Sequence, residues 1–256
     1  MNNNLPFMNL LQEFRSMGEF AGFANTAWMW PFNKRAERPS SILLIPGFLA
    51  GDVTLYPFAN WLRARGHSVF FSGILSNSDC PRRAVDRLGR ILTDLHEQAG
   101  RKLVIIGHSL GGIYARELAR RFPGKVEQTI LLGAPIHEPL AHANRYVVMV
   151  ARLTQRFHHH GCDCELETIC GVNGTLPPPG VPETIIYSKR DGIVDWTSCI
   201  ERGPNVDAIE VASSHVGLPY NPETLRVIKD KIEERQARPA VVCEFRRVKR
   251  DKTASM

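Results

Sequence analysis

The run Leu103-Val-Ile-Ile-Gly-His-Ser-Leu-Gly-Gly constrains this chain more than any other segment. An apolar, β-branched stretch of strand length meets glycines on either side of a serine, and a helical apolar pattern starts at once from Leu110. The flanking text repeats the rhythm. Ser-Ile-Leu-Leu-Ile, stopped by Pro46-Gly47, reads as a buried strand at 41–45, and Leu55, Phe58, Ala59 and Leu62 recur at helical spacing up to Gly66. A strand follows from His67, then a helix from Pro81 with Val85, Leu88, Ile91, Leu92 and Leu95 on one face, closed by Gly100. Beyond the serine the expected elements are a helix over 110–122 and strands at 126–132, 184–188 and 208–211. A final helix is expected over 222–234. Strands alternating with helices in this way predict a mainly parallel sheet of about six strands, covered on both faces.

A chain of 256 residues suits one catalytic domain, placed at 40–236, with an N-terminal apolar extension at 1–39 and a basic tail at 237–256. With 43% hydrophobic and 23% charged residues the composition is that of an ordinary globular protein, not a disordered chain. The net charge of +6 comes partly from Arg246, Arg247, Lys249, Arg250 and Lys252, a short run that reads as a solvated end; nucleic acid is not an expected partner. Glu13, Arg15 and Glu19 interrupt the only candidate signal-peptide core, so a cytoplasmic location is expected, with the six cysteines as free thiols. Phe14, Phe20, Phe23, Trp28 and Trp30 are expected to pack on the domain, with peripheral contact to a membrane surface as the alternative. Residues 136–182 contain no obvious sheet strand and read as a cap inserted between strands, where ligands enter.

The serine run contains Gly-x-Ser-x-Gly in a strand-turn-helix setting, which lifts a hydroxyl above the sheet edge and makes Ser109 a candidate nucleophile. A serine hydroxyl needs a base within hydrogen-bond reach, and the base needs an orienting acid. Tyr187-Ser-Lys-Arg-Asp191-Gly and Ser213-Ser-His215-Val-Gly place an acid and a histidine just past later strands, in the order Ser, Asp, His. Asp195 is the rival acid, but it precedes Trp-Thr-Ser-Cys and reads as a helix cap. Backbone N–H groups of Leu110 and Phe48 are the expected oxyanion donors. His108 reads as a packing residue. His158 to His160, Cys162 and Cys164 match no usual zinc spacing, so neither metal nor cofactor is expected.

Pro-Gly-Phe at 46–48, Gly-His-Ser-Leu-Gly-Gly, Tyr-Ser-x-x-Asp-Gly-Ile-Val and Ser-His-x-Gly-Leu together resemble the α/β-hydrolase superfamily, especially its lipase-like bacterial members. The chain is also similar to poorly characterised proteobacterial hydrolases. The resemblance covers about 40–236, and it implies a serine esterase acting on a small-molecule or lipid ester. Many lipases carry His-Gly where this chain has Pro46-Gly47, which leaves the bracing of the oxyanion loop open. An acyltransferase with the same triad and a non-catalytic binding protein on the same fold are the alternatives, and fold alone does not separate them. The acyl chain and the oligomeric state are not legible in the sequence.

Overall fold

The computed structural model describes residues 35–137 and 180–237. The expected N-terminal aromatic packing, nearly all of the cap, the His158–Cys164 cluster and the basic tail lie outside the described residues.

Within them the chain runs through β1 (Ser41–Ile45), a short 3-10 helix (Asp52–Leu55) leading into α1 (Tyr56–Ala64), and β2 (Ser68–Phe71). It continues through α2 (Pro81–Ala99), β3 (Leu103–His108), α3 (Leu110–Arg121) and β4 (Val126–Leu132). Beyond residue 179 come β5 (Glu183–Tyr187), a 3-10 turn (Trp196–Cys199), β6 (Val206–Glu210) and α4 (Pro222–Ala237). Pro81 sits in the first turn of α2, where its missing N–H costs nothing, and Gly100 ends that helix at φ 62°. Asn221 caps α4, its Oδ1 accepting from the Glu223 N–H at 2.9 Å and the Thr224 N–H at 3.3 Å.

All six strands form one sheet in the order β2-β1-β3-β4-β5-β6, and every pairing is parallel. Alternate residues therefore feed two cores. Leu43, Ile45, Leu103 and Ile105 face α2 and α3, where Val85, Leu88, Leu92 and Leu118 are fully buried. Ile42, Leu44, Val104 and Ile106 face α1 and α4, against Phe58, Leu62, Ile228 and Ile232. At about 1.5–3 kcal/mol for each fully buried aliphatic side chain, the central strands anchor the fold from both sides. This is the doubly covered α/β architecture that the alternating pattern predicts.

The order also fixes where a site can form. From β1 the chain moves outward to β2, then returns across β1 to β3, so the connections diverge between β1 and β3 and leave a crevice at their C-terminal ends. The Pro46-Gly47-Phe48 loop leaves β1 there, and Ser109 leaves β3 beside it.

Candidate active site

Ser109 occupies the single residue between β3 and α3, with φ 53° and ψ −122°. Positive φ in a serine costs about 1–3 kcal/mol and persists only where the surroundings enforce it. They do so through close backbone contact: a Cβ at Gly107 would lie 2.2 Å from the Gly111 carbonyl oxygen, and one at Gly111 would lie 2.3 Å from that of Ile45. Glycine at both positions lets the turn close against β1. The Ser109 N–H donates to the Leu132 carbonyl at 2.8 Å, tying the turn to β4.

The two other sequence candidates arrive from separate loops. Asp191 follows β5 and His215 follows β6, and His215 Nδ1 stands 2.6 Å from Asp191 Oδ2 with both side chains buried. With the carboxylate ionised, Nδ1–H donates and Nε2 is left as the basic nitrogen. The second oxygen, Oδ1, accepts from the Ile193 and Val194 N–H groups at 2.9 and 2.7 Å, so the carboxylate is held at both ends. Asp195 sits elsewhere. It is exposed and its Oδ1 accepts from the Thr197 N–H and hydroxyl at 2.9 and 2.8 Å, capping the 3-10 turn as its position predicts.

Two residues whose roles here the sequence did not announce brace the histidine. Ser188 Oγ donates to the Ser213 carbonyl at 2.6 Å and accepts from the Ser213 N–H at 3.2 Å, which locks the acid-bearing loop to the histidine-bearing loop. His108 Nε2 lies 3.0 Å from the His215 carbonyl oxygen, so Nε2 carries the proton and donates. The two imidazoles lie 4.9 Å apart, tilted by 42°. Burial, and then the neighbouring His215, push the His108 pKa down to about 3, which keeps it neutral and unsuited to exchanging protons near pH 7. The sequence reading of His108 as a packing residue is refined: it packs, and it also holds the main chain of His215.

Ser109 and His215 open onto one cavity of about 350 Å³. Phe48, Leu49, Leu55, Ile193, Val216 and Pro219 give it a mainly apolar lining. Phe48 and Leu49 come from the loop after β1, whose backbone makes a turn closed by the Ala50 N–H on the Gly47 carbonyl at 3.1 Å. Among the described residues the N–H groups of Phe48 and Leu110 take no acceptor. The bracing left open by Pro46 in place of histidine comes from Asn77, whose Nδ2 donates to the Pro46 carbonyl at 2.8 Å. Nothing in the spacing of Ser76-Asn77-Ser78 signals this contact, because the partners are far apart in sequence and meet only when β1 and β2 pair. Among the described residues no group of three or more His, Cys, Asp or Glu side chains could hold a metal. No helix there is long and apolar enough to cross a membrane.

Comparison with known proteins agrees with this architecture. A family model described as the PGAP1-like alpha/beta domain matches residues 78–193, a span that includes Ser109 and Asp191 and stops short of His215. Methyl jasmonate esterase 1 of Vitis vinifera is 28% identical over 164 residues, 60% of this chain and 59% of that protein, so the chain spans less than two thirds of this relative. Among solved structures, Aspergillus fumigatus lipase B superposes with a TM-score of 0.56 at 19% identity, covering 73% of this chain and 50% of the lipase. The carboxylesterase CesB (YbfK) of Bacillus subtilis gives 0.51 at 13% identity, over 84% of this chain and 98% of the esterase. The chain has the α/β-hydrolase fold, and the proteins it is similar to here are esterases and lipases.

Proposed function

We propose that this protein hydrolyses a carboxylic ester with an apolar acyl group, using Ser109 as nucleophile, His215 as general base and Asp191 as the orienting acid. The observation that carries the reading is the buried 2.6 Å contact between His215 Nδ1 and Asp191 Oδ2, made beside the cavity onto which the strained Ser109 opens. A buried carboxylate on Nδ1 selects the tautomer in which Nε2 accepts a proton, and it stabilises the imidazolium that results.

In the first half-reaction Ser109 Oγ attacks the ester carbon as His215 Nε2 takes its proton. The negative oxygen of the tetrahedral intermediate is stabilised by the Phe48 and Leu110 N–H groups, an interaction worth about 3–4 kcal/mol per donor in such sites. Collapse breaks the bond to the leaving oxygen, which departs as the alcohol with the proton from His215. Water then attacks the acyl-enzyme, again giving its proton to His215, and the acid leaves as Ser109 recovers its hydrogen. Ester and water become acid and alcohol, with no other reactant.

The apolar lining supports an acyl chain and not a charged group in the cavity, because an unpaired charge there would lose its hydration without compensation. The test is a series of p-nitrophenyl esters of increasing acyl length, with Ser109→Ala as control and a competing alcohol added in a second series. Turnover by the wild type alone, with free acid as product, is the expected result. A transesterified product in place of acid would replace hydrolysis with acyl transfer, and no turnover of any ester would leave a binding protein.

A further inference from the structure

The loop that carries Phe48 is held by a neighbouring loop, not by its own sequence. Leu49 has a φ of 58°, a conformation that glycine adopts freely and leucine does not, at the third position of the Gly47–Ala50 turn. What keeps it there is the segment after β2. The Leu49 N–H donates to the Asn77 carbonyl at 3.0 Å, the Asn77 N–H donates to the Ala50 carbonyl at 2.9 Å, and Asn77 Nδ2 donates to the Pro46 carbonyl at 2.8 Å. Asn77 is buried, at 2% exposure, so these bonds are sheltered from water.

A second set of bonds fixes the Asn77 loop in turn. Asp52 Oδ1 accepts from the Ser72 hydroxyl at 2.6 Å and the Ser72 N–H at 3.3 Å, while Oδ2 accepts from the Ile74 N–H at 3.1 Å. The Asp52 N–H returns a bond to the Ile74 carbonyl at 2.8 Å. The two loops touch so closely that a Cβ at Gly51 would lie 2.1 Å from the Leu75 carbonyl oxygen. Residues 46, 49, 50 and 52 are thus all pinned from the β2 side. Phe48 lies between the pinned positions, on the cavity, with its N–H unspent among the described residues.

We propose that Asn77 is a positioning residue for the oxyanion hole: its three hydrogen bonds to the Pro46–Ala50 loop hold the Phe48 N–H where the developing oxyanion forms. This rests on the ester-hydrolase reading above. The side-chain amide is the part that substitution can remove, since the two main-chain bonds are open to any residue. Asn77→Ala leaves the Pro46 carbonyl buried without its donor and frees the strained turn to relax. Ester binding in the apolar cavity does not depend on the Phe48 N–H, so the loss falls on the transition state and not on the ground state.

The experiment measures kcat and KM on a short-chain p-nitrophenyl ester, per active site titrated with a fluorophosphonate, for the wild type, Asn77→Ala and the nearly isosteric Asp52→Asn. Inhibition by a trifluoromethyl ketone is measured on the same proteins, because its adduct with Ser109 carries the oxyanion. Losing one oxyanion donor outright costs about 10²–10³ in kcat, and a displaced donor costs less. The expected result is a kcat roughly 10- to 100-fold lower for Asn77→Ala, KM within about twofold, and an inhibition constant for the ketone that rises in step. Leu88→Val, on the buried face of α2, supplies a destabilised control whose kcat per titrated site stays at the wild-type value. Asp52→Asn, which turns a donor toward the Ile74 N–H, gives a smaller change of the same kind and answers the question if Asn77→Ala does not fold. Unchanged kcat and ketone inhibition in folded Asn77→Ala, or in Asp52→Asn where only that variant folds, overturn the positioning role alone. A wild type that neither reacts with the fluorophosphonate nor turns over the ester overturns the hydrolase reading as well.

Discussion

The two sides of the candidate site are built on different principles. The histidine side joins Asp191 to His215 through one short contact between ionisable groups, in a setting whose residue types announce their chemistry. The proposed oxyanion side has no ionisable group at its centre. There the loop that carries Phe48 is held by neutral hydrogen bonds with Asn77, and its residue types announce nothing. Removing one side chain destroys the first arrangement, whereas the second degrades by small displacements. That contrast orders the expected effects of mutation.

The largest effect belongs to the acid. Asp191→Asn leaves His215 without the partner that sets its tautomer and is expected to lower turnover by about 10⁴. Asp195→Asn, four residues on, is expected to keep turnover near the wild-type value and to cost about 1 kcal/mol or less of stability, since it weakens a cap. Turnover and melting temperature of the two variants side by side decide the matter. A catalytically dead Asp195→Asn beside an active Asp191→Asn would reverse the roles.

His108 sharpens the comparison, because it lies between the two sides. Its Nε2–H on the His215 carbonyl predicts that His108→Ala costs about 1–3 kcal/mol of stability by leaving a buried acceptor unpaired. Turnover per titrated site is expected to fall by roughly tenfold, far short of the Asp191 effect, as the His215 backbone shifts. His108→Gln, which offers another N–H, is expected to recover part of both. A loss near 10⁴ in His108→Ala would make this residue a second base and not a brace.

A separate effect, on the fold and not on turnover, is in acid stability. Burial pushes His108 down to about 3 and His67, whose Nδ1 accepts the Ser40 N–H at 3.0 Å, down to about 4. The unfolded chain takes up these protons near pH 6.5 and the folded chain does not. Both contributions are therefore fully present above pH 6.5 and are lost as the pH falls toward 4. Each group steepens the decline across that window, by at most about 1.4 kcal/mol per pH unit. Urea titrations at pH 7, 6 and 5 for the wild type and His67→Gln test this, with a shallower decline expected in the variant. An identical decline in both would remove His67 from the account.

Much of this molecule is legible in its sequence. The strands at 41–45 and 126–132 and the helix from Pro81 stand where apolar spacing, proline and glycine put them, because buried central strands and amphipathic helices carry strong periodic signals. The sequence pattern puts the final strand at 208–211, whereas it spans Val206–Glu210. As an edge strand with largely exposed side chains it has little apolar alternation to read, and Val206 and Asp207 join it through hydrogen bonding to β5. The site divides in the same way. Ser109, Asp191 and His215 stand out because the proposed nucleophile, acid and base must be particular residue types just past particular strands. Asn77, Ser188 and Asp52 were silent because a hydrogen bond to a backbone carbonyl or N–H can come from many residue types at any sequence distance. The fold supplies that proximity.

Activation of Ser109 as a nucleophile by His215 is tested most directly by covalent labelling. The wild type and Ser109→Ala, both shown to be folded by circular dichroism, are treated with an alkyl fluorophosphonate and weighed intact, with the modified peptide mapped. One adduct on the wild type, located at Ser109, and none on Ser109→Ala is the expected result. An adduct of equal yield on folded Ser109→Ala, or a wild type labelled at another residue, would contradict it.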